Sequence, residues 1–209
     1  MKNINNIARL TGFGYLIIFV TGFFANFYVL EGLVVPGSAS ETAEHIINES
    51  ALYSMGLAAF SLMVLVDIIL AFPLYHLFKS VNEYVAKTSS ALRLINGAIF
   101  GIALISLFEI ATLSGDGSAE LETGVLPLLE KFDDIWNIGL VFFGIHLLLL
   151  GWLIFKSFHL PGIIGILLQI AGIGYLVDSG AKLYLTNYDQ YQAIFEMIVI
   201  VPGVIGEFS

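Results

Sequence analysis

The chain has 209 residues, of which 58% are hydrophobic and only 12% charged, and its mean hydropathy is +0.91. Soluble domains carry about 25% charged residues, so a single membrane-embedded domain over 1–209 is expected, with the lipid bilayer as its first partner. The formal charge of -9 falls mostly between apolar segments, and with no basic patch to grip phosphates nucleic acid is excluded as a partner; having no cysteine, the chain also lacks disulfides, thiolate nucleophiles and Cys-based metal sites.

Residues Met1–Leu10 are polar and carry Lys2 and Arg9. The first apolar segment, 10–35, is longer than the 7–15-residue core of a signal peptide and shows no convincing cleavage site. It reads as an uncleaved helix. Pro36-Gly37 breaks it, and Ser38-Ala39-Ser40-Glu41 matches a capping box for a short helix. Glu41, His45 and Glu49 share one face of that helix, read as a solvated face, with a weak cation site as the alternative.

The second segment, 52–78, holds Asp67 near its middle and Pro73, which removes a backbone donor and should kink the helix. Residues 79–90 read as a polar loop. The third segment, 91–113, has Arg93 and Asn96 early and Glu109 late. Its Gly97 and Gly101 form a G-x-x-x-G pair suited to close helix approach. Residues 114–132 read as an acidic loop containing Asp116, Glu120, Glu122 and Glu130.

The fourth segment, 134–156, is the most decisive. The 21 residues between Asp134 and Lys156 hold no carboxylate, Lys or Arg. At about 1.5 Å per residue they span roughly 30 Å, a bilayer's hydrocarbon thickness. Trp136 and Trp152 sit near its ends, where interfacial rings are expected. Asn137, Gly144 and Gly151 recur at heptad spacing on one face, and His146 lies nearly opposite. Such a helix is expected to meet protein on both sides. Pro161 opens the fifth segment, 161–184, with Gly165 and Gly172 at heptad spacing, Gln169 between them, and an Asp178–Lys182 pair at i, i+4. The sixth, 190–209, holds Glu196, Pro202 and Glu207.

The predicted fold is therefore all-α, a polytopic bundle of six membrane-spanning helices. Lys2, Arg9, Lys79, Lys87, Arg93 and Lys156 fall on one side, and Lys131 and Lys182 on the other. This positive-inside bias puts both termini in the cytoplasm of a cell-membrane protein.

Ala8-Arg9-Leu10-Thr11-Gly12, Phe142-Phe143-Gly144-Ile145-His146-Leu147 through Gly151 and Lys156-Ser157, Leu160-Pro161-Gly162 through Gly174-Tyr175-Leu176-Val177-Asp178-Ser179, and Pro202-Gly203-Val204-Ile205-Gly206-Glu207 resemble the bacterial membrane family called domain of unknown function 4386. The resemblance covers nearly the whole chain. It implies an integral membrane protein and no particular activity. The family's last helix usually continues past the Gly-Glu, so helix six is expected to be shortened here.

Ionisable groups deep in a bilayer are costly and mark candidate sites. By helical rise, Asp67 lies roughly 18 Å from the cytoplasmic edge, His146 roughly 15 Å, Gln169 about 12 Å beyond Pro161 and Glu196 about 20 Å from the chain's end. These four are the primary ligand- or proton-binding candidates, with Asp67 and His146 as a pair able to load and release a proton near neutral pH. Arg93, Asn96, Glu109 and Tyr175 are secondary. For Arg93 and Asn96 a place near the cytoplasmic interface is expected, where a long side chain snorkels. The competing reading for all of them is hydrogen bonding that only holds the bundle together.

No H-E-x-x-H, G-x-S-x-G or P-loop occurs, and no metal or cofactor is predicted. Three function classes follow. The first is binding or transport of a small molecule or ion at a midplane polar site. The second is a membrane-embedded partner subunit or regulator, within a homo- or hetero-oligomer. The third is an intramembrane hydrolase. An activity as an enzyme is the least supported of these.

Overall fold

A computed structural model describes residues 2–116, 118–157 and 160–184, and every element among them is helical. Helix α1 (Lys2–Phe23) continues through a π-helical stretch, Phe24–Leu30, into a last turn, Glu31–Leu33. The wider winding shows in the Glu31 N–H, which reaches Asn26 O five residues back. Pro36-Gly37 ends the run, and Gly37 takes φ 76°, a left-handed conformation that glycine adopts without steric cost.

Helix α2 (Ala39–Asn48) starts at the predicted cap: the Glu41 N–H donates to Ser38 Oγ at 3.4 Å. Buried Thr42 accepts from the Val35 N–H at 2.9 Å and donates to Val35 O at 3.2 Å, which ties the preceding turn to the helix. Glu41, His45 and Glu49 are all exposed, and His45 Nδ1 also lies 3.2 Å from Leu33 O.

Helix α3 (Ser50–Phe78) runs through Pro73 without interruption, and only four residues separate it from α4 (Glu83–Asp116). Helix α5 (Ser118–Lys156) follows at once, and α6 (Gly162–Tyr184) completes the described chain. Two stretches read as loops are thus helical. Glu83–Ser90 forms the first two turns of α4. The acidic stretch 118–132 forms the start of α5, because its apolar residues recur at helical spacing. Leu121, Val125, Leu129 and Phe132 are all buried, while Glu120, Glu122 and Glu130 stay exposed on the other faces. With 39 residues α5 is roughly 58 Å long, well beyond a 30 Å hydrocarbon layer.

Among the described residues five helices are long and apolar enough to cross a membrane: Asn6–Leu33, Ser50–Phe78, Glu83–Gly115, Ala119–Lys156 and Gly162–Lys182. The sixth expected span, 190–209, lies outside the described residues, as does its Glu196.

The chain divides into two compact units. One comprises Met1–Leu16, Asp67–Gly97 and the chain from Asn137 onward; the other comprises Ile17–Val66 and Ala98–Trp136. In the second unit Val29 of the π-helical stretch packs on Gly56, where an added Cβ would meet Val29 Cγ1 at 2.6 Å. Tyr53 Oη donates to Leu107 O at 2.9 Å beside it. Trp136 stacks on Phe100 at 3.7 Å, with Phe60 edge-on at 5.6 Å and Phe132 tilted against it at 5.2 Å.

The first unit contains a glycine seam between α5 and α6. A Cβ added at Gly144 would lie 3.0 Å from Gly172 O, and one at Gly172 only 2.7 Å from Gly144 O. Gly151 and Gly165 are in the same reciprocal contact. Each step of seven along α5 is matched by a step of seven back along α6, so the helices run antiparallel with backbones touching, as small residues permit. Of the G-x-x-x-G pair, Gly97 packs against Ile68 of α3, whereas among the described residues nothing lies within 4 Å of a Cβ at Gly101.

Candidate functional site

In the first unit, α4 carries Ser89, Arg93 and Asn96 at i, i+4 and i+7, so the three side chains line one face. That face is closed off: Arg93 is 1% exposed and Asn96 fully buried. The approach of α3 at Gly97 sets Asp67 beside it, since any larger residue there would strike Ile68.

Arg93 is the hub. Its Nη2 donates to Asp67 Oδ1 at 2.6 Å, an ion pair, and its Nε donates to Asp67 O at 3.1 Å. Its Nη1 donates to Tyr15 Oη and to His146 Nε2, both at 3.0 Å. The guanidinium also lies over the Tyr15 and Phe143 rings, 5.0 and 5.9 Å from their centroids. Asp67 takes its other hydrogen bond on Oδ2 from Asn96 Nδ2 at 3.2 Å. One cation and one anion therefore neutralise each other inside a shell drawn from α1, α3, α4 and α5.

These partners fix the state of His146. An arginine has no lone pair to offer, so Nε2 must accept. A backbone carbonyl cannot donate, so Nδ1, 2.9 Å from Ser89 O, must carry the proton. His146 is then the neutral Nδ1–H tautomer, fully buried. Ser89 Oγ lies 2.9 Å from the same Nδ1 and donates to His146 O at 3.4 Å. Since the nitrogen facing Ser89 is protonated, this pair is not a base–nucleophile dyad. The ring's only lone pair is taken by Arg93, so His146 has none left for a metal ion.

Asp67 and His146 do reach one centre, but through Arg93 and not as a direct pair. Asn96 belongs to the centre as well. Gln169 does not: its side chain packs on Gly151 in the seam, five residues along α5 from His146. Tyr175 stands one layer out, edge-on to Phe143 at 5.3 Å, whose ring is 6.0 Å from His146. Glu109 is exposed on α4 in the other unit.

Two members were missed from sequence. Ser89 falls in the stretch whose polar composition reads as a loop, and Tyr15 stands in an apolar run. Arg93, for which snorkelling is expected, is instead 1% exposed and turned onto Asp67. The i, i+4, i+7 spacing of Ser89, Arg93 and Asn96 was the available signal. One acceptor in the centre, Asn96 Oδ1, has no hydrogen-bond partner among the described residues.

A family model described as domain of unknown function (DUF4386) matches residues 10–209. An uncharacterized protein of Archaeoglobus fulgidus is 32% identical over 148 residues, covering 68% of this chain and 80% of that protein. No solved structure matches.

Proposed function

The chain belongs to the DUF4386 family, and from that premise we propose that it is a multi-pass protein of the cell membrane whose Arg93 centre fastens its membrane segments in one register. This reading places it with membrane-embedded partner subunits and regulators. The observation that carries it is the mutual satisfaction of the buried charges. Asp67 has both carboxylate oxygens occupied, and Arg93 donates to α1, α3 and α5 from α4. Taking an ion out of water costs several kcal/mol even after relaxation, and a buried pair offsets that only with such geometry. The best-attested use of a buried pair is to specify register, since well-packed apolar residues are often as stable.

The basic residues support a cytoplasmic placement of the α3–α4 and α5–α6 connections. Arg93 no longer counts toward that bias, but Lys2, Arg9, Lys79, Lys87 and Lys156 still outnumber Lys131 and Lys182. A second reading, binding of a small molecule or ion at this centre, is favoured by one observation: the unpartnered Asn96 Oδ1. A hydrolase is not favoured, because both ring nitrogens of His146 are committed.

The test is a pair of substitutions. Asp67→Leu and Arg93→Met should each lower thermal stability in detergent, and the double variant should recover most of the loss. A double variant whose losses simply add would contradict a fastening that acts as one neutral unit.

A further inference from the structure

The α5–α6 seam has a third layer. One heptad from the Gly144–Gly172 contact, Asn137 of α5 meets Ser179 of α6. Both are buried, at 7% and 0% exposure. Two glycine layers hold the backbones in contact, so these side chains cannot move apart to find other partners. Yet the only bond between them is a long one, Asn137 Nδ2 to Ser179 O at 3.5 Å. Asn137 Oδ1 and Ser179 Oγ, an acceptor and a hydroxyl in the same layer, are both left without a partner among the described residues.

The local escape is not taken either. Thr11, Thr21, Ser61, Thr88 and Thr112 each turn their hydroxyls back onto the carbonyl four residues earlier in their own helices. Ser179 does not. Two orphaned buried groups in one layer carry a penalty that native proteins relieve with buried water. We infer that this layer is a site for a single water molecule, which donates to Asn137 Oδ1 and accepts from Ser179 Oγ. A neutral molecule that both donates and accepts matches an amide oxygen and a hydroxyl. The inference does not depend on the Arg93 reading, because no residue is shared with that centre.

The sign of a stability change tests it in the purified full chain. Removing an orphaned hydroxyl should leave stability unchanged or raise it, whereas removing a bridged one should lower it. Ser179→Ala and the near-isosteric Asn137→Leu are each expected to lower Tm in detergent by roughly 2–4 °C. The double variant should fall no further than the worse single, because the water is lost with the first substitution. An unchanged or raised Tm for Ser179→Ala would overturn the site, and that variant suffices if Asn137→Leu fails to accumulate. Additive losses in the double variant would overturn it too. A Tm that rises in sodium chloride over equal choline chloride, and no longer does in Ser179→Ala, would show a cation in place of water and overturn the assignment.

Discussion

Arg93→Met isolates what the buried cation does. Methionine keeps an unbranched apolar stem of similar reach, so packing changes little, but the donors are gone. Asp67, 5% exposed, would keep only the hydrogen bond from Asn96 Nδ2 at 3.2 Å. It would lose the charge-assisted contact at 2.6 Å, and Tyr15 Oη and His146 Nε2 would lose their shared donor. Breaking one side of a buried pair costs about 3–5 kcal/mol, because the other charge is left uncompensated. At about 2–4 °C per kcal/mol for a chain of this size, Tm should fall by roughly 6–20 °C. Thermal unfolding in one detergent, followed by tryptophan fluorescence, reads this directly. Lys87→Met is the control: it removes a cation two turns away on α4 that is exposed, and Tm should stay within about 2 °C. An Arg93→Met variant as stable as the control would refute the reasoning.

Gly172→Ala should lower Tm, since its Cβ would stand 2.7 Å from Gly144 O, and overpacking typically costs about 1–3 kcal/mol. Gly101→Ala, with nothing within 4 Å, should be neutral or stabilising by up to about 1 kcal/mol from helix propensity. Equal behaviour of the two variants would contradict the seam. For topology, the chain has no cysteine of its own, so single introduced thiols report cleanly. A cysteine replacing exposed Glu122 should react with a membrane-impermeant maleimide in intact cells, and one replacing exposed Ser80 only after permeabilisation; the opposite pattern would reverse the orientation.

Where the sequence carried long, charge-free apolar runs, it made the described spans legible, because crossing a bilayer constrains length and composition together. The convergence of Asp67 and His146 was legible for a related reason: helical rise converts residue number into depth. Composition misled where it was used without period. The acids of 118–132 suggest a loop, whereas the i, i+4 recurrence of Leu121, Val125 and Leu129 is that of a helix. Reading 79–90 as loop hides Ser89 and cuts it off from Arg93 and Asn96, so the cation that completes the centre ranks only as a secondary candidate. Tyr15 could not be found this way, since a tyrosine among apolar residues of α1 carries no pattern that distinguishes a hydrogen-bonded hydroxyl from an interfacial one. Its partner lies 78 residues away, and only packing brings the two together.

The most direct test of the Arg93 hub is the protonation of His146. Solid-state ¹⁵N NMR of histidine-labelled protein distinguishes the two neutral tautomers and the imidazolium, and subtracting the spectrum of His146→Gln isolates this ring from His45, His76 and His159. The structure requires a protonated Nδ1, hydrogen-bonded to Ser89, and an unprotonated Nε2 that accepts from Arg93. A protonated Nε2, in either the other tautomer or the imidazolium, could not accept from a guanidinium and would contradict the centre as described.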